Sequence, residues 1–307
     1  MKNSVPLITV IIPTFNRAGL LANCLKSLAF LDFSLEKLEV VIVDDASVDE
    51  TEKIVNLFKN RLHYIIYQKN NENQGASFSR NKGVSLARGK FIVFLDDDCS
   101  VSPDWLKTIL ETFSAYPGAS AVGGSVNCAL KSAFAQAGYL SEFSSWLPGG
   151  GIRKINNIPA CNAAYRASEI KNCYFDQGLQ PFEDSLFNYR LVLAKRKIIF
   201  NPCIKVFHQK GENFFLNQFI HSQQKYAVAF LRGGYKVFGQ RGKILRYFPW
   251  FNLFCWRLFL IGFRCLYFGF FSLFLRRFYF ILLAEWIRGK TIVRLAGRVN
   301  ELKIAGL

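Results

Sequence analysis

Close cysteine pairs are missing from this chain of 307 residues, although it contains 8 cysteines. Without a Cys-x-x-Cys spacing the sequence gives no sign of a cysteine-type zinc site, and cysteines scattered along so long a chain favour a reducing compartment. Glycine and proline, at 22 and 9, are not enriched, while hydrophobic residues make up 51%. This composition excludes disordered, collagenous and low-complexity proteins and predicts an ordered chain.

Acidic residues are scarce relative to basic ones: 22 Asp and Glu stand against 39 Lys and Arg, which gives a formal net charge of +17. Much of the excess lies after residue 240, where 12 Lys and Arg face only Glu285 and Glu301. A basic balance can indicate nucleic acid, an anionic membrane or an acidic substrate. Nucleic acid is the weakest of these predictions, because the basic residues lie among aromatics and no recognised binding motif accompanies them.

A long charge-free apolar run is absent as well. Residues 247–275 are dense in Phe, Leu and Trp, but arginines interrupt them, whereas a membrane-spanning helix needs about 20 apolar residues. At about 100° per residue, Arg246, Arg257 and Arg264 share one narrow face of a helix. This pattern predicts a helix that lies in the membrane interface or re-enters it. A true span, and a soluble core or oligomer-interface helix, are the alternatives.

Short apolar runs alternate with helical periodicity in the first part of the chain. The runs that we predict as strands are 7–12, 38–43, 63–67 and 90–95. The first run is too short for a signal peptide and is followed by Pro13, so we expect no export signal. The alternation of strands and helices predicts an α/β fold with a doubly wound, mostly parallel sheet.

Polar clusters follow three of these strands. They are Pro13-Thr14-Phe15-Asn16-Arg17, Asp44-Asp45-Ala46-Ser47 and Asp96-Asp97-Asp98. In an open parallel sheet ligands bind outside the carboxyl ends of the strands, so we expect the three clusters to converge. Consecutive aspartates after an apolar strand are electrostatically costly unless they meet a cation, which predicts a site for a hard divalent metal at 96–98. Helix capping before Pro103 is the alternative.

In this order, and with Asn73-Gln74-Gly75 and Arg80-Asn81 between them, the clusters resemble the motifs of the family-2 inverting glycosyltransferases of the GT-A fold. The resemblance implies a Rossmann-like α/β domain over residues 1–240, with a mostly parallel sheet flanked by helices. Residues 241–307 are then a hydrophobic, basic, amphipathic helical region that associates with the membrane. The resemblance also implies a nucleotide-sugar donor and a divalent cation, Mn²⁺ or Mg²⁺.

The same resemblance implies a role for individual residues of the donor side. Asp45 is expected on the base, Arg80 near the pyrophosphate and Asp96 on the ribose. The implied donor-binding residues are Pro13, Thr14, Asn16, Arg17, Asp45, Ser47, Arg80, Asp96 and Asp97, and the implied metal ligands are Asp98, Asp96 and His208. A solvated helix charge is the alternative for Arg80, and a hydrogen-bonded structural histidine is the alternative for His208.

Later motifs resemble the acceptor side of the family and its acid pair. Asn162 and Arg166 fall in the acceptor-like segment, and Trp146, beside a glycine-rich loop, either stacks on an acceptor sugar or packs in a core. Glu183-Asp184 resembles the acid pair, in which the second acid takes the proton from the attacking hydroxyl. The family often has a third acid after the pair, and Phe187 stands in its place here. The alternative for Glu183-Asp184 is a pair of acids at a helix N-terminus, stabilised by the helix macrodipole.

Together these features predict an enzyme that moves a sugar from a nucleotide-sugar to a hydroxyl of a glycan or lipid-linked acceptor. The basic tail places it on an anionic membrane surface, at the cytoplasmic side of the cell membrane, peripheral or re-entrant. Two rivals differ in class. One is a nucleotidyltransferase, which usually has a Gly-rich basic first loop, and the other is a membrane-anchored, non-catalytic protein that binds sugar nucleotides.

Overall fold

The computed structural model describes residues 5–128, 132–179, 181–209, 216–238, 256–267 and 271–296. It divides into two compact units. The first comprises residues 1–129, 151–178 and 183–209, and the second comprises 130–150, 179–182 and 210–307. The predicted α/β architecture and C-terminal helices are confirmed, while the predicted domain boundary at residue 240 stays a prediction.

The first unit is built on a nine-stranded sheet with the order β3-β2-β1-β4-β8-β6-β9-β5, in which β7 pairs with β9. The strands are β1 (Ile8–Thr14), β2 (Leu38–Asp44), β3 (Ile65–Lys69), β4 (Phe91–Phe94), β5 (Cys99–Val101), β6 (Ala119–Cys128), β7 (Arg153–Ile155), β8 (Ala163–Arg166) and β9 (Lys197–His208). The helices of this unit are α1 (Ala18–Ala29), α2 (Thr51–Phe58), α3 (Ala76–Leu86), α4 (Trp105–Ala115), α6 (Ala167–Ile170) and α7 (Glu183–Leu193), and the second unit contributes α5 (Ala133–Phe143).

The first four strands, β1 to β4, form a parallel half of the sheet, as the sequence predicts. β1 lies between β2 and β4, β3 is outside β2, and all three pairings are parallel. Every residue of β1 and β2 is buried, as expected of strands covered on both faces, and this explains their continuous β-branched runs. The carboxyl ends of these strands therefore meet at one edge of the sheet.

The other half of the sheet is mixed. β8 is antiparallel to both β4 and β6, and β9 runs parallel to β6 but antiparallel to β5 and β7. The sequence also predicts two separate strands here, one at 197–200 and one near Val206, but β9 is one strand. The pairing of β9 with β6 shifts its register between Gly124 and Ser125 of β6. This irregularity interrupts the apolar pattern in the sequence of β9, but the strand continues.

The second unit is helical. Besides α5 it contains α8 (Leu216–Phe238), α9 (Trp256–Tyr267) and α10 (Phe271–Ala296). α10 contains a buried ion pair, in which Arg288 Nη1 lies 3.1 Å from Glu285 Oε1, and Ser141 of α5 donates a hydrogen bond to the same carboxylate at 2.7 Å. Among the described residues, none of the helices combines the length and the apolarity that a bilayer crossing requires.

Gly83 lets α3 lie directly against β1. A Cβ at this buried helical position would collide with the side chain of Ile11. We predict that Gly83→Ala lowers the free energy of unfolding by about 1–3 kcal/mol, the usual cost of overpacking a core. Urea unfolding followed by circular dichroism measures the change.

Gly19 on α1 provides the matched control, because a Cβ there meets nothing within 4 Å. Gly19→Ala should therefore stabilise the protein by about 0.5–1 kcal/mol through helix propensity alone. A Gly83→Ala variant as stable as the Gly19→Ala variant would contradict the close seating of α3 on β1.

Candidate active site

A cavity lies at the carboxyl ends of β1, β2 and β4, where the sequence predicted that the polar clusters converge. Its lining residues are Pro13, Thr14, Phe15, Arg17, Asp45, Ala76, Ser79, Arg80, Asp96 and Asp97. Seven of the residues predicted to bind a donor are therefore brought together on one surface. The other two, Asn16 and Ser47, hold the loops that form the cavity.

Asn16 and Ser47 join the loops after β1 and β2 reciprocally. The Asn16 backbone N–H donates to Ser47 Oγ at 2.9 Å, and Asn16 Oδ1 accepts from the Val48 N–H at 2.8 Å. Asn16 has a φ of 51°, a left-handed conformation that asparagine tolerates better than most residues. Asn16 thus stabilises a tight turn at the edge of the cavity.

Asp45 is buried and anchors the segment that leads into α3. Its carboxylate accepts hydrogen bonds from Asn70 Nδ2 at 2.8 Å, from the Gln74 N–H at 3.0 Å and from the Gly75 N–H at 2.7 Å. Gly75 has a φ of 88°, which a side chain would disfavour. Asp45 therefore shapes the cavity wall, and its predicted contact with a base stays a prediction.

Arg17 is the cation nearest to the second and third aspartates of the acidic run. Its Nη1 lies 3.0 Å from Asp97 Oδ1 and 3.2 Å from Asp98 Oδ2. Thr14 Oγ1 donates to the other oxygen of Asp97 at 2.8 Å. Burial, followed by repulsion from Asp98, raises the pKa of Asp97 to about 7, although Arg17 and Thr14 act in the opposite direction.

Arg80 joins the acidic run to the acid pair. Its Nη2 lies 2.8 Å from Asp96 Oδ1, and its Nη1 lies 2.6 Å from Glu183 Oε1. The guanidinium is buried and lies 5.6 Å from the centre of the Phe175 ring. Arg80 is therefore no solvated helix charge but a cation held between two carboxylates. Its location near a pyrophosphate stays a prediction.

Glu183 and Asp184 begin α7. Asp184 accepts hydrogen bonds from the Ser185 N–H at 2.6 Å and from the Ala160 N–H at 3.3 Å. Burial, with repulsion from Glu183 next, raises the pKa of Asp184 to about 7, while Arg80 and the backbone N–H groups lower it. A carboxyl group with a pKa near neutrality is suited to accept and release a proton.

Three metal-binding atoms come together beside the acidic run. Asp98, Cys99 and His208 each offer a donor atom, and these atoms lie within 4.8 Å of one another. The donor set fits a divalent cation, and it includes two predicted ligands, Asp98 and His208. The third predicted ligand, Asp96, is directed instead to Arg80. Cys99 was not among the predicted site residues, because only the pairing of β5 with β9 brings it to His208.

The predicted acceptor-side residues make contacts within the protein, and their acceptor-side roles stay predictions. Asn162 is buried, its Oδ1 accepts from Trp105 Nε1 at 2.9 Å, and its Nδ2 donates to the carbonyls of Ser125 and Ile204, both at 3.0 Å. The Asn162 amide thereby links β6 and β9. Trp146 belongs to the second unit, where its ring lies 6.2 Å from that of Phe143, so a contact between Trp146 and a sugar stays a prediction.

Arg166 lies at the opposite end of β4 from the acidic run. In the antiparallel pairing of β8 with β4 it faces Phe91, the first residue of β4, whereas Asp96 follows the last. Its Nε donates to the Ala119 carbonyl at 2.8 Å and its guanidinium lies 4.9 Å from the Phe113 ring centre. These contacts of Arg166 are structural, and its acceptor-side role stays a prediction.

The model of "Glycosyl transferase family 2" matches residues 9–169, which is just over half of the chain. This chain belongs to glycosyl transferase family 2. The resemblance predicted from the motifs is thereby confirmed, and the matched residues contain the cavity and the acidic run.

Curated relatives support the family membership. The chain is 38% identical over 193 residues to a glucosyl-dolichyl phosphate glucuronosyltransferase of Haloferax volcanii, covering 60% of this chain and 58% of the relative. It is 37% identical over 158 residues to a GalNAc(5)-diNAcBac-PP-undecaprenol beta-1,3-glucosyltransferase of Campylobacter jejuni, covering 50% and 46%. This family 2 chain thus matches about half the length of these relatives.

Solved structures share the fold. A mannosyltransferase of Pyrobaculum calidifontis in complex with GDP-Man and Mn²⁺ has a TM-score of 0.64 at 18% identity, over 95% of this chain and 88% of that one. Staphylococcus aureus TarS in complex with UDP-GlcNAc has a TM-score of 0.56 at 18% identity, over 96% and 91%. These likenesses confirm the GT-A fold.

The raised pKa of Asp184 predicts a pH dependence of stability. Such a carboxyl group contributes fully below the unfolded-state pKa of about 3.9, and this contribution is lost as the pH rises through about 7. Asp184→Asn cannot ionise, so relative to wild type it should raise the midpoint of thermal unfolding by several degrees at pH 8 and little at pH 4, since one pKa unit is worth about 1.4 kcal/mol.

Asp32→Asn is the control for loss of one negative charge, because Asp32 is exposed. Its effect on the unfolding midpoint should be small at both pH values. Equal effects of Asp184→Asn at pH 4 and pH 8 would contradict the assigned environment of the acid pair.

Proposed function

We propose that this chain is a metal-dependent inverting glycosyltransferase that moves a sugar from a nucleotide-sugar donor to a hydroxyl acceptor. The observation that carries the proposal is the continuous ionic contact from Asp96 through Arg80 to Glu183. It connects the cavity at the strand ends with the acid pair that can accept a proton. The relatives' names, which are those of sugar transferases, support the same reaction class.

The cavity suits a nucleotide diphosphate. Pro13, Thr14 and Asp45 form its wall, and Asp96, whose side chain is 29% exposed, offers a carboxylate oxygen that suits a hydroxyl of a ribose. Asp97 holds Arg17 and Thr14 beside it. Arg17 is half-exposed and contributes positive charge at the same surface. These features match the donor-binding roles that the family resemblance implies.

Asp184 is the proposed base. An inverting transfer needs one carboxylate to take the proton of the acceptor hydroxyl while that oxygen attacks the anomeric carbon from the face opposite the nucleotide. The C–O bond to the diphosphate breaks in the same displacement, and no covalent intermediate with the protein is needed. Glu183, held by Arg80, keeps the start of α7 in place beside the base.

Negative charge develops on the diphosphate as it leaves. Arg17, which already pairs with Asp97 and Asp98, is placed to stabilise such charge. A divalent cation such as Mn²⁺ or Mg²⁺, when bound by Asp98 and His208, would supply the Lewis acid that neutralises the diphosphate oxygens.

The proposed acceptor is a lipid-linked saccharide or a growing polysaccharide at the cytoplasmic face of the membrane. Two relatives carry dolichyl phosphate or PP-undecaprenol in their names, which supports a lipid-linked acceptor. The second unit offers a surface for such a location. Large apolar side chains with exposures between 42% and 72% line its last two helices: Phe259, Phe263, Leu266 and Tyr267 on α9, and Leu275, Phe278, Tyr279 and Trp286 on α10.

Charge on the same helices favours an anionic surface. Glu285 is the sole acidic residue in the sequence of α9 and α10, and it is buried against Arg288. Arg276 and Lys290 are exposed, and the Lys290 ammonium lies 4.9 Å from the centre of the Trp286 ring. Aromatic side chains flanked only by cations are typical of a helix surface that lies in the headgroup region.

Of the arginine face predicted from the sequence, the structure describes the side chain of Arg264 alone, so that face stays a prediction. Arg264 is half-buried, and its Nη1 lies 3.5 Å from Ser144 Oγ. Arg246 lies outside the described residues, and the side chain of Arg257 is likewise outside the described part of α9. We therefore base the membrane contact on the exposed aromatic side chains rather than on an arginine stripe.

Donor hydrolysis by the purified protein tests the catalytic assignment. Across a panel of nucleotide sugars with Mn²⁺ or Mg²⁺, Asp184→Asn should lower transfer to an acceptor by about 10²–10⁴-fold, the usual contribution of a general base. Donor binding, measured by calorimetry, should persist in this variant because Asp184 is not among the residues that line the cavity. Asp98→Ala should abolish the metal dependence of turnover.

Asp176→Asn is the matched control, since Asp176 is a carboxylate near α7 that pairs with Arg190 at 3.9 Å outside the cavity. It should retain wild-type transfer. Binding of a nucleotide sugar by the wild-type protein without hydrolysis or transfer, even with membrane lipid extract present, would favour the non-catalytic alternative, and failure to bind any nucleotide sugar would contradict both interpretations.

Vesicle sedimentation tests the membrane surface. Phe263→Glu combined with Tyr279→Glu should weaken binding to vesicles rich in phosphatidylglycerol at least about tenfold, because each change removes apolar area that would enter the headgroup region. Wild-type binding should decrease as salt is added.

Phe30→Glu combined with Leu57→Glu is the matched control, because these side chains are exposed to 64% and 65% in the first unit. It should bind vesicles like wild type. An equal loss in both double variants, or equal binding to neutral vesicles, would contradict the assigned surface.

A further inference from the structure

The three donor atoms beside the acidic run belong to different chemical classes. Asp98 offers a carboxylate oxygen, Cys99 a sulfur and His208 an imidazole nitrogen. Mg²⁺ prefers oxygen ligands alone, whereas Zn²⁺ and Co²⁺ accept oxygen, nitrogen and sulfur together. The composition of the cluster therefore bears on which metal ion the site takes.

The backbone holds these donors in a fixed arrangement. Cys99 and His208 are direct partners in the antiparallel pairing of β5 with β9, so their side chains lie on the same face of the sheet. The Gln209 N–H donates to the Asp98 carbonyl at 2.6 Å and fastens the third residue to the end of β9. Side chains placed by paired strands need little rearrangement to bind an ion.

Two distances within the cluster match a tetrahedral shell. With bonds of about 2.1 Å to nitrogen and oxygen and about 2.3 Å to sulfur, tetrahedral angles separate oxygen from nitrogen by about 3.4 Å and oxygen from sulfur by about 3.6 Å. Asp98 Oδ1 lies 3.4 Å from His208 Nε2 and 3.7 Å from Cys99 Sγ. Right angles in an octahedral Mg²⁺ shell would bring oxygen and nitrogen to about 3.0 Å.

The remaining oxygen of Asp98 is used elsewhere. Arg17 Nη1 lies 3.2 Å from Asp98 Oδ2, whereas Oδ1 is the oxygen that faces Cys99 and His208. The two oxygens of the Asp98 carboxylate thus have different partners: Oδ2 pairs with Arg17, and Oδ1 faces the donor atoms of Cys99 and His208. An ion at the cluster does not have to displace Arg17.

We propose that Cys99 is a metal ligand, and that Asp98, Cys99 and His208 form a three-ligand site for a zinc-class ion, Zn²⁺ or Co²⁺, rather than for Mg²⁺. On binding, the S–H bond of Cys99 is replaced by a metal–sulfur bond and the proton passes to the buffer. Three protein ligands leave the fourth position of a tetrahedral shell open. The proposal rests on the divalent cation of the proposed function and replaces Mg²⁺ there with a zinc-class ion. Metal binding tests it without any sugar transfer.

Cobalt spectroscopy of the full chain, prepared metal-free in a thiol-free reductant, tests the site. Co²⁺ should bind with one high-affinity equivalent, give the intense visible bands of tetrahedral coordination and show a near-ultraviolet sulfur-to-cobalt charge-transfer band. Zn²⁺ should abolish these bands by displacement, and a large excess of Mg²⁺ should not. Cys99→Ser should remove the charge-transfer band and weaken Zn²⁺ binding by about 100-fold or more, since even outer-shell changes cost about 10–100-fold.

Cys24→Ser is the matched control, because Cys24 is an equally buried thiol whose Sγ lies 3.7 Å from the Asp96 carbonyl, outside the donor cluster. It should keep both the band and the affinity. Circular dichroism establishes that each variant is folded, and His208→Ala gives a second variant that should lose the tetrahedral bands. A weak octahedral spectrum in the wild type, a charge-transfer band retained by Cys99→Ser, or displacement by Mg²⁺ would overturn the proposal.

Discussion

The gathering of carboxylates at one edge of the sheet is the constraint on which the rest of this structure depends. Charged carboxylates are stable at low exposure only when cations or N–H groups surround them. The acids concerned are Asp96, Asp97, Asp98, Glu183 and Asp184. Arg17 and Arg80 supply the nearby positive charge, and each guanidinium contacts two of these acids. The fold brings the loop after β1 and the helix α3 to this edge, and thereby makes the acidic site possible.

Packing and charge are connected through α3. Gly83 lets this helix lie against Ile11 of β1, and Arg80 is one turn earlier on the same helix. The seating of the helix on the sheet therefore sets the depth at which the guanidinium meets Asp96 and Glu183. Stability and site geometry consequently depend on the same few contacts, so a change in the packing of α3 also changes the electrostatics of the acid pair.

The sequence predicts the parallel strands and the convergence of their polar ends, because buried runs and strand-end clusters are local patterns. It does not predict what each polar side chain contacts. Arg80 bonds to Glu183 across 103 positions, and Cys99 meets His208 only through strand pairing. Arg166 is a further example, since a motif resemblance says nothing about which end of a strand a residue occupies when the strand is antiparallel.

The environment of Asp45 has a consequence for how this fold can hold phosphate. In many nucleotide-binding α/β folds the free N–H groups at the start of a helix receive the phosphate directly. Here the carboxylate of Asp45 already accepts the Gln74 and Gly75 N–H groups that precede α3. A negative charge thus already lies at the positive end of that helix dipole, and these two N–H groups are not open to a phosphate. A phosphate of the proposed donor would meet cationic side chains or a metal ion here rather than these two N–H groups, so its affinity should vary with metal concentration and ionic strength.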